Sequence, residues 1–307
     1  MSGAKRLVIV IVLFLAGLGV AAALHRSQPP EAASPAPGTA QPAAAKPQRI
    51  VALAPNITES LFALGVGGRV VGVGDFCFFP PEAKAKPRVG GEFNPNFERL
   101  LVLRPNLTVV QGVAEKVEEF GQRRGIRVLH VNMDSLPTIY AGLARLGQAT
   151  GTEGEAERLA AKIKLDLAAV AYRVAGRPRP KVLLCMNHQA GSLLGASTVN
   201  GKSFLSELLD VAGGDNVFAD LELPYQTFSK EALLKRRADV VIELRPGETL
   251  SEAGHGRLLD DWRALSSLPA VREQRVYFLT DDCLLLAGPR VAKTAERLAE
   301  VLHPRSP

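Results

Sequence analysis

The side chains able to do chemistry are sparse and mostly isolated. The histidines (His25, His130, His188, His255 and His303) include no pair at helical spacing, and the cysteines (Cys77, Cys185 and Cys283) show no Cys-x-x-Cys spacing. That pattern offers neither a zinc site nor a redox motif, and it fits small buried side chains better than reactive thiols. Ser192 sits in Gly191-Ser192-Leu193-Leu194-Gly195, which lacks the spacing of a nucleophile elbow. Gly65, Gly67 and Gly68 do not form a dinucleotide fingerprint, and no phosphate-binding loop is present. Asp260-Asp261 and Asp281-Asp282 are chain neighbours, which places their carboxylates on solvated surface rather than across a substrate. No catalytic residue, metal site or resident cofactor is expected.

Two patterns suit recognition instead. Phe76, Phe78 and Phe79 crowd the segment Asp75 to Pro81 and are stopped by two prolines, which reads as an aromatic loop, either core or an apolar binding surface. The second pattern is a pair of glutamates. When Glu98 is set against Glu231, leucines coincide at Leu100 with Leu233 and at Leu101 with Leu234, and strands are expected from Leu107 and Val240. Each glutamate falls in the first turn of a short helix. There it complements the helix dipole, and two such carboxylates on symmetry-related lobes also make a two-point docking site for a basic partner.

The elements that must position these residues form two similar halves. Strands are predicted at 49–53 and 181–185, and Leu61 to Val71 resembles Leu208 to Phe218, so each half repeats one strand-helix-strand plan with a parallel sheet. Asn56 and Glu59 match a capping box for a helix running to Gly65. Between the halves, residues 151–177 contain no proline, and Leu159, Ile163, Leu167 and Val170 make an apolar stripe along one long helix. The sole tryptophan, Trp262, falls in a helix-like segment away from the loops.

Lys5 and Arg6 precede an uncharged apolar run from Leu7 to Leu24, which reads as a signal peptide or an uncleaved membrane anchor. Both send the body outside the cytoplasm. Residues 25–48 are rich in Pro and Ala and read as an extended tether. The chain carries 37 basic and 31 acidic residues, and its bases are scattered rather than interleaved with aromatics, which argues against nucleic-acid binding. The expected organisation is a leader or anchor at 1–24, tether at 25–48, N-terminal lobe at 49–150, connecting helix at 151–177 and C-terminal lobe at 178–307.

The ordered segments I-V-A-L-A-P-N-I-T-E, G-V-G-D-F-C-F-F-P-P-E-A, K-P-R-V-G-G, N-P-N-F-E-R-L-L-V-L-R-P-N-L, F-L-S-E-L-L-D-V-A-G-G-D-N-V-F and G-P-R resemble the ABC-transporter substrate-binding proteins for cobalamin, siderophores and haem. The resemblance extends over Arg49 to Pro304 and is nearest to the cobalamin-binding branch. It implies an α/β protein of two Rossmann-like lobes joined by one rigid helix, with limited hinge closure and a ligand in the interlobe cleft. It further implies a periplasmic location, soluble or tethered to the inner membrane, a monomer, and an ABC permease with its ATPase as partners. Glu98 and Glu231 would contact permease arginines. Phe76, Phe78, Phe93, Asn187, His188, Tyr225 and Asp282 would line the cleft around a cobalamin-like corrinoid, with ferric siderophore or haem as alternatives. Glu92, Gln111 and Tyr225 stand where cobalamin binders often carry tryptophan, so aromatic platforms are fewer than the family pattern. His188 is either a hydrogen-bonded loop histidine or, if exposed in the cleft, a ligand to cobalt or haem iron. An exported two-lobed enzyme on a related fold is the reading from a different class.

Overall fold

The computed structural model describes residues 46–186 and 188–304. The apolar run at 7–24 and the tether up to Ala45 lie outside the described residues. Among the described residues no helix is long and apolar enough to cross a membrane.

The N-terminal lobe comprises β1 (Ile50–Ala52), α1 (Pro55–Ala63), β2 (Val70–Val73), α2 (Pro81–Lys84), α3 (Phe97–Leu103), β3 (Leu107–Gln111), α4 (Glu115–Arg124), β4 (Arg127–Val131) and α5 (Leu136–Thr150). Its strands form one parallel sheet in the order β2-β1-β3-β4. After α6 (Glu153–Val174) the second lobe runs β5 (Lys181–Cys185), β6 (Ser197–Val199), α7 (Phe204–Val211), β7 (Asp215–Asn216), β8 (Tyr225–Thr227) and α8 (Lys230–Arg236). It ends with β9 (Val240–Leu244), α9 (Glu252–Arg263), α10 (Pro269–Arg272), β10 (Val276–Leu279) and α11 (Val291–Leu302). This second sheet is also parallel, in the order β7-β5-β9-β10, and β6 pairs with β8 as an antiparallel ribbon. Strands β1 and β9 are buried throughout, as expected where helices cover both faces of a parallel sheet.

The internal repeat is carried by backbone devices as well as by leucines. Helix α3 starts on Asn96, whose side chain accepts from the Arg99 amide, and ends on left-handed Arg104 (φ 44°). Its counterpart α8 starts on Ser229, whose hydroxyl accepts from the Ala232 amide, and ends on left-handed Arg237 (φ 54°). Strands β3 and β9 follow at equivalent positions, beginning at Leu107 and Val240 as the spacing predicts. Both sheets then place their strands in the same relative order.

Helix α6 is two residues shorter at its start and three shorter at its end than the predicted 151–177 segment, because Gly151 (φ 70°) closes α5 and the helix ends before Gly176 (φ 77°). Ile163, Leu167 and Val170 are buried, whereas Leu159 is half-buried. This stripe belongs to one continuous apolar cluster that includes Ile50, Val109 and Leu143 of the first lobe and Val182, Ile242 and Leu298 of the second. The capping box read at Asn56 and Glu59 does not form. Helix α1 begins at Pro55, its N-cap Ala54 accepts no side-chain bond, and Asn56 and Glu59 are buried on the helix. Their polar groups are drawn to the other lobe instead.

Leu167 is 5% exposed and Leu165, two positions away on the opposite face, is 71% exposed. Leu167→Ala is expected to lower the unfolding free energy by about 2–5 kcal/mol, and Leu165→Ala by less than about 0.5 kcal/mol. Urea denaturation of both variants checks the assignment of faces; equal losses would contradict it.

Candidate functional site

The carboxyl ends of the parallel strands are where open α/β sheets hold ligands, and the predicted aromatic loop leaves the sheet there. Gly74 makes its turn possible: a Cβ at this position would lie 2.1 Å from the Leu53 carbonyl oxygen. Cys77 then packs into the core, so its neighbours Phe76 (71% exposed) and Phe78 (55% exposed) both face solvent. Arg88 holds the loop by donating from Nη1 to the carbonyls of Gly74 and Cys77, both at 2.8 Å, and its guanidinium lies 5.1 Å from the centre of the Phe78 ring. The exposed reading of the loop therefore applies to Phe76 and Phe78, and the core reading to Cys77.

Phe93 projects fully into solvent beside a cavity of about 240 Å³ that Glu92, Gln111 and Val113 also line. Gln111, at the end of β3, starts a polar chain across the strand ends. Its Nε2 donates to Asp134 Oδ1 (3.3 Å), while its Oε1 accepts from Asn56 Nδ2 (3.2 Å). Asn56 Nδ2 also donates to the Ala287 carbonyl of the second lobe (3.1 Å). Tyr225, opening β8 of the second lobe, is exposed at its ring. Partial desolvation of the phenol, and then the Asp134 charge, raise its pKa above the ordinary value. Burial likewise raises the Glu92 carboxyl, against a backbone donor at Gln111. Asp134, Gln111 and Asn56 thus form a hydrogen-bonded series that reaches the Ala287 carbonyl of the second lobe.

Asp282 is not free to meet a ligand alone. Its Oδ1 accepts from Arg290 Nη1 at 2.7 Å. The same guanidinium grips Glu59 of the first lobe with Nε to Oε2 (2.8 Å) and Nη2 to Oε1 (2.6 Å), and stacks 4.0 Å from the centre of the Phe79 ring. The second junction between lobes pairs Glu207 Oε2 with the Leu136 amide (2.5 Å) and the Phe204 amide with the Asp134 carbonyl (2.9 Å). Burial raises the pKa of both Glu59 and Glu207; at Glu59 Arg290 opposes it, and at Glu207 the Leu136 amide does.

His188 is a correction to the cleft lining expected from sequence. The residue is buried, Nδ1 faces Glu243 Oε2 at 2.9 Å and Nε2 faces Asp261 Oδ2 at 3.1 Å, so neither ring nitrogen is open to a metal. Trp262 Nε1 donates to the same Glu243 oxygen (2.9 Å) and Arg245 Nη1 donates to Glu243 Oε1. Asp261, read as solvated surface, also accepts from the Gly191 amide (2.8 Å) and thereby pins the loop after β5. Asn187 lies outside the described residues. Glu98 and Glu231 are exposed on α3 and α8, and neither enters an ion pair among the described residues. All three cysteines are buried and free. Among the described residues no group of three or more His, Cys, Asp or Glu is arranged to hold a metal ion.

The roles of Arg88, Arg290 and Asp134, and the hydrogen bonds of Gln111, were not apparent from sequence. The G-P-R segment supplied a signal for Arg290, but its partner Glu59 is 231 residues away.

Two open parallel sheets joined by a helical spine, with exposed aromatic and polar side chains on the loops beyond the strands, have the architecture of a two-lobed binding protein. The periplasmic binding protein family matches residues 50–283, and the chain belongs to this family. The chain is 29% identical over 258 residues to the vitamin B12-binding protein of Salmonella paratyphi A, covering 83% of this chain and 90% of that one. It is 27% identical over 268 residues to YvrC of Bacillus subtilis, named as an uncharacterized ABC transporter substrate-binding lipoprotein, covering 84% and 81%. Among solved structures, the periplasmic heme-binding protein RhuT from Roseiflexus sp. RS-1 superposes with a TM-score of 0.69 at 27% identity, covering 83% of this chain and 98% of that one.

The His188 cluster has a pH signature. Burial alone would lower the imidazole pKa, but the hydrogen bonds and charges of Glu243 and Asp261 outweigh it and raise the pKa above 6.5. A raised folded-state pKa gives stability that is complete below the unfolded value and is lost as pH rises through the folded one. The difference in unfolding free energy between wild type and His188→Gln is therefore expected to be largest below pH 6.5 and to shrink at higher pH. A difference independent of pH in denaturation series would refute a protonated His188.

Proposed function

We propose that the cargo held between the lobes is a cobalamin-like corrinoid. The family and its relatives make the chain the substrate-binding component of an ABC importer of the cobalamin, haem and siderophore type, working in the periplasm. The observation that carries the corrinoid reading is the exposure of three rings, Phe76 and Phe93 on loops of one lobe and Tyr225 on the β6/β8 ribbon of the other. A broad, partly apolar macrocycle can rest on such rings, while polar groups such as Gln111 and Asp134 meet amide side chains at its edge. The vitamin B12-binding relative supports this reading. The likeness to a heme-binding protein and the absence of tryptophan platforms support haem or a ferric siderophore as the second reading. In each case the metal chelate is cargo, and no resident cofactor is proposed. The transport role of the relatives supports capture without turnover, against the exported-enzyme reading.

Delivery is proposed to occur at a permease served by its ATPase, with Glu98 and Glu231 as the two contacts and the N-terminal run as a membrane anchor where it is retained. Exposed carboxylates in no ion pair among the described residues are suited to meet arginines across an interface.

Calorimetric titration with cyanocobalamin, haem and a ferric siderophore is expected to give a dissociation constant for cyanocobalamin below about 10 μM, or about 7 kcal/mol. Phe76→Ala and Phe93→Ala are each expected to weaken it roughly 3- to 10-fold. Tight binding of haem alone would replace the corrinoid with the second reading. Glu98→Arg combined with Glu231→Arg is expected to leave cargo affinity unchanged and to abolish uptake by cells; normal uptake would disprove the docking role.

A further inference from the structure

The Arg290 side chain is 10% exposed, and all three nitrogens of its guanidinium are engaged. Two bind Glu59 of α1 in a bidentate fork, the third binds Asp282 in the loop before α11, and its flat face covers Phe79 of the aromatic loop. Asn56, one turn before Glu59 on the same helix face, binds the Ala287 carbonyl of that same loop. A Cβ on Gly288 would approach Asn56 Cβ at 3.3 Å, so backbone and helix are already in close contact there. The other junction is its counterpart: α7, equivalent to α1, presents Glu207 to the amide of Leu136 at the start of α5, as α1 presents Glu59 to the residue preceding α11.

We propose that Arg290 is a positioning residue of the cargo cleft: by joining Glu59, Asp282 and Phe79 it sets the spacing between the aromatic loop and the loop bearing Asp282, and so governs which cargo fits. The proposal rests on the reading of the interlobe cleft as the cargo site. Lysine cannot replace this arginine, because a point ammonium cannot present a bidentate fork, a third donor and a stacking plane together. The role is chemical as well as electrostatic.

The test uses the full chain with cysteines introduced at exposed Glu119 and Glu273, one on each lobe, for spin labelling; the three native cysteines are buried. Distance distributions between labels are measured without cargo in the parent, Arg290→Lys and Glu59→Gln, followed by cyanocobalamin titration. The expected result is a narrow distribution in the parent and a broadened or shifted one in both variants, with affinity reduced about 3- to 30-fold. Cooperative melting of each variant verifies that it folds, and Glu59→Gln decides the matter if Arg290→Lys does not. Unchanged distributions in folded variants overturn the proposal, even if affinity falls. If the parent binds no cyanocobalamin, the corrinoid reading fails, while the distance distributions still decide the role of Arg290.

Discussion

Burial of one face of α6 against both lobes is the constraint on which the remaining structure depends. Its inward side chains do not divide two separate cores; they lie within one apolar cluster that passes from the first sheet to the second. Helix α6 packs against α5 of the first lobe and against α7 and α11 of the second. Close approach is built in at Gly147 of α5, where a Cβ would lie 2.7 Å from Ala156 Cβ of α6. Rotation of one lobe against the other would expose or overpack this cluster. At about 25 cal/mol per Å² of apolar surface, large excursions are opposed by the same burial that stabilises the fold. A rigid spine follows from continuous packing rather than from the intrinsic stiffness of a helix.

Such a spine joins the lobes through apolar packing and leaves the junctions at Glu59 and Glu207 to polar groups. There the lobes meet through charges withdrawn from water, and an isolated buried carboxylate would cost several kcal/mol. Glu59 avoids this by a paired fork from Arg290, and Glu207 by a backbone amide at a helix start, where the helix dipole also favours an anion. Apolar packing is tolerant of small displacements, whereas bidentate geometry is not. The polar junction is therefore more sharply specified in geometry than the apolar one.

Much of this architecture was legible in the sequence because it is periodic or repeated. The spacing of Ile163, Leu167 and Val170 identified α6, and the match of Glu98 with Glu231 located two helices whose caps and left-handed ends coincide. Local patterns misled where distant partners compete for the same groups. Asn56 and Glu59 have the types and spacing of a capping box, but Ala287 and Arg290 claim them from across the chain. For His188 the hydrogen-bonded reading holds, but the identity of its partners was not legible, because Glu243 and Asp261 lie 55 and 73 residues further on. Such pairings leave no periodic trace, and they are the interactions that shape the candidate site.

The repeat also separates what each lobe needs for folding from what it presents outward. Folding accounts for the caps at Asn96 and Ser229, the left-handed arginines and the buried Leu100 and Leu233. It does not account for Glu98 and Glu231 in the same way, because a first-turn acid adds only about 0.3–1 kcal/mol. At Glu231 its own backbone amide and then the Ser229 hydroxyl already hold the carboxyl below the ordinary range, so it stays charged at any physiological pH. Around these two acids the surfaces diverge: exposed Val102 on α3 is replaced by exposed Lys235 on α8. A carboxylate present in both copies, in no ion pair among the described residues and set among otherwise unlike neighbours, supports a role that lies outside the lobe, as the docking proposal requires.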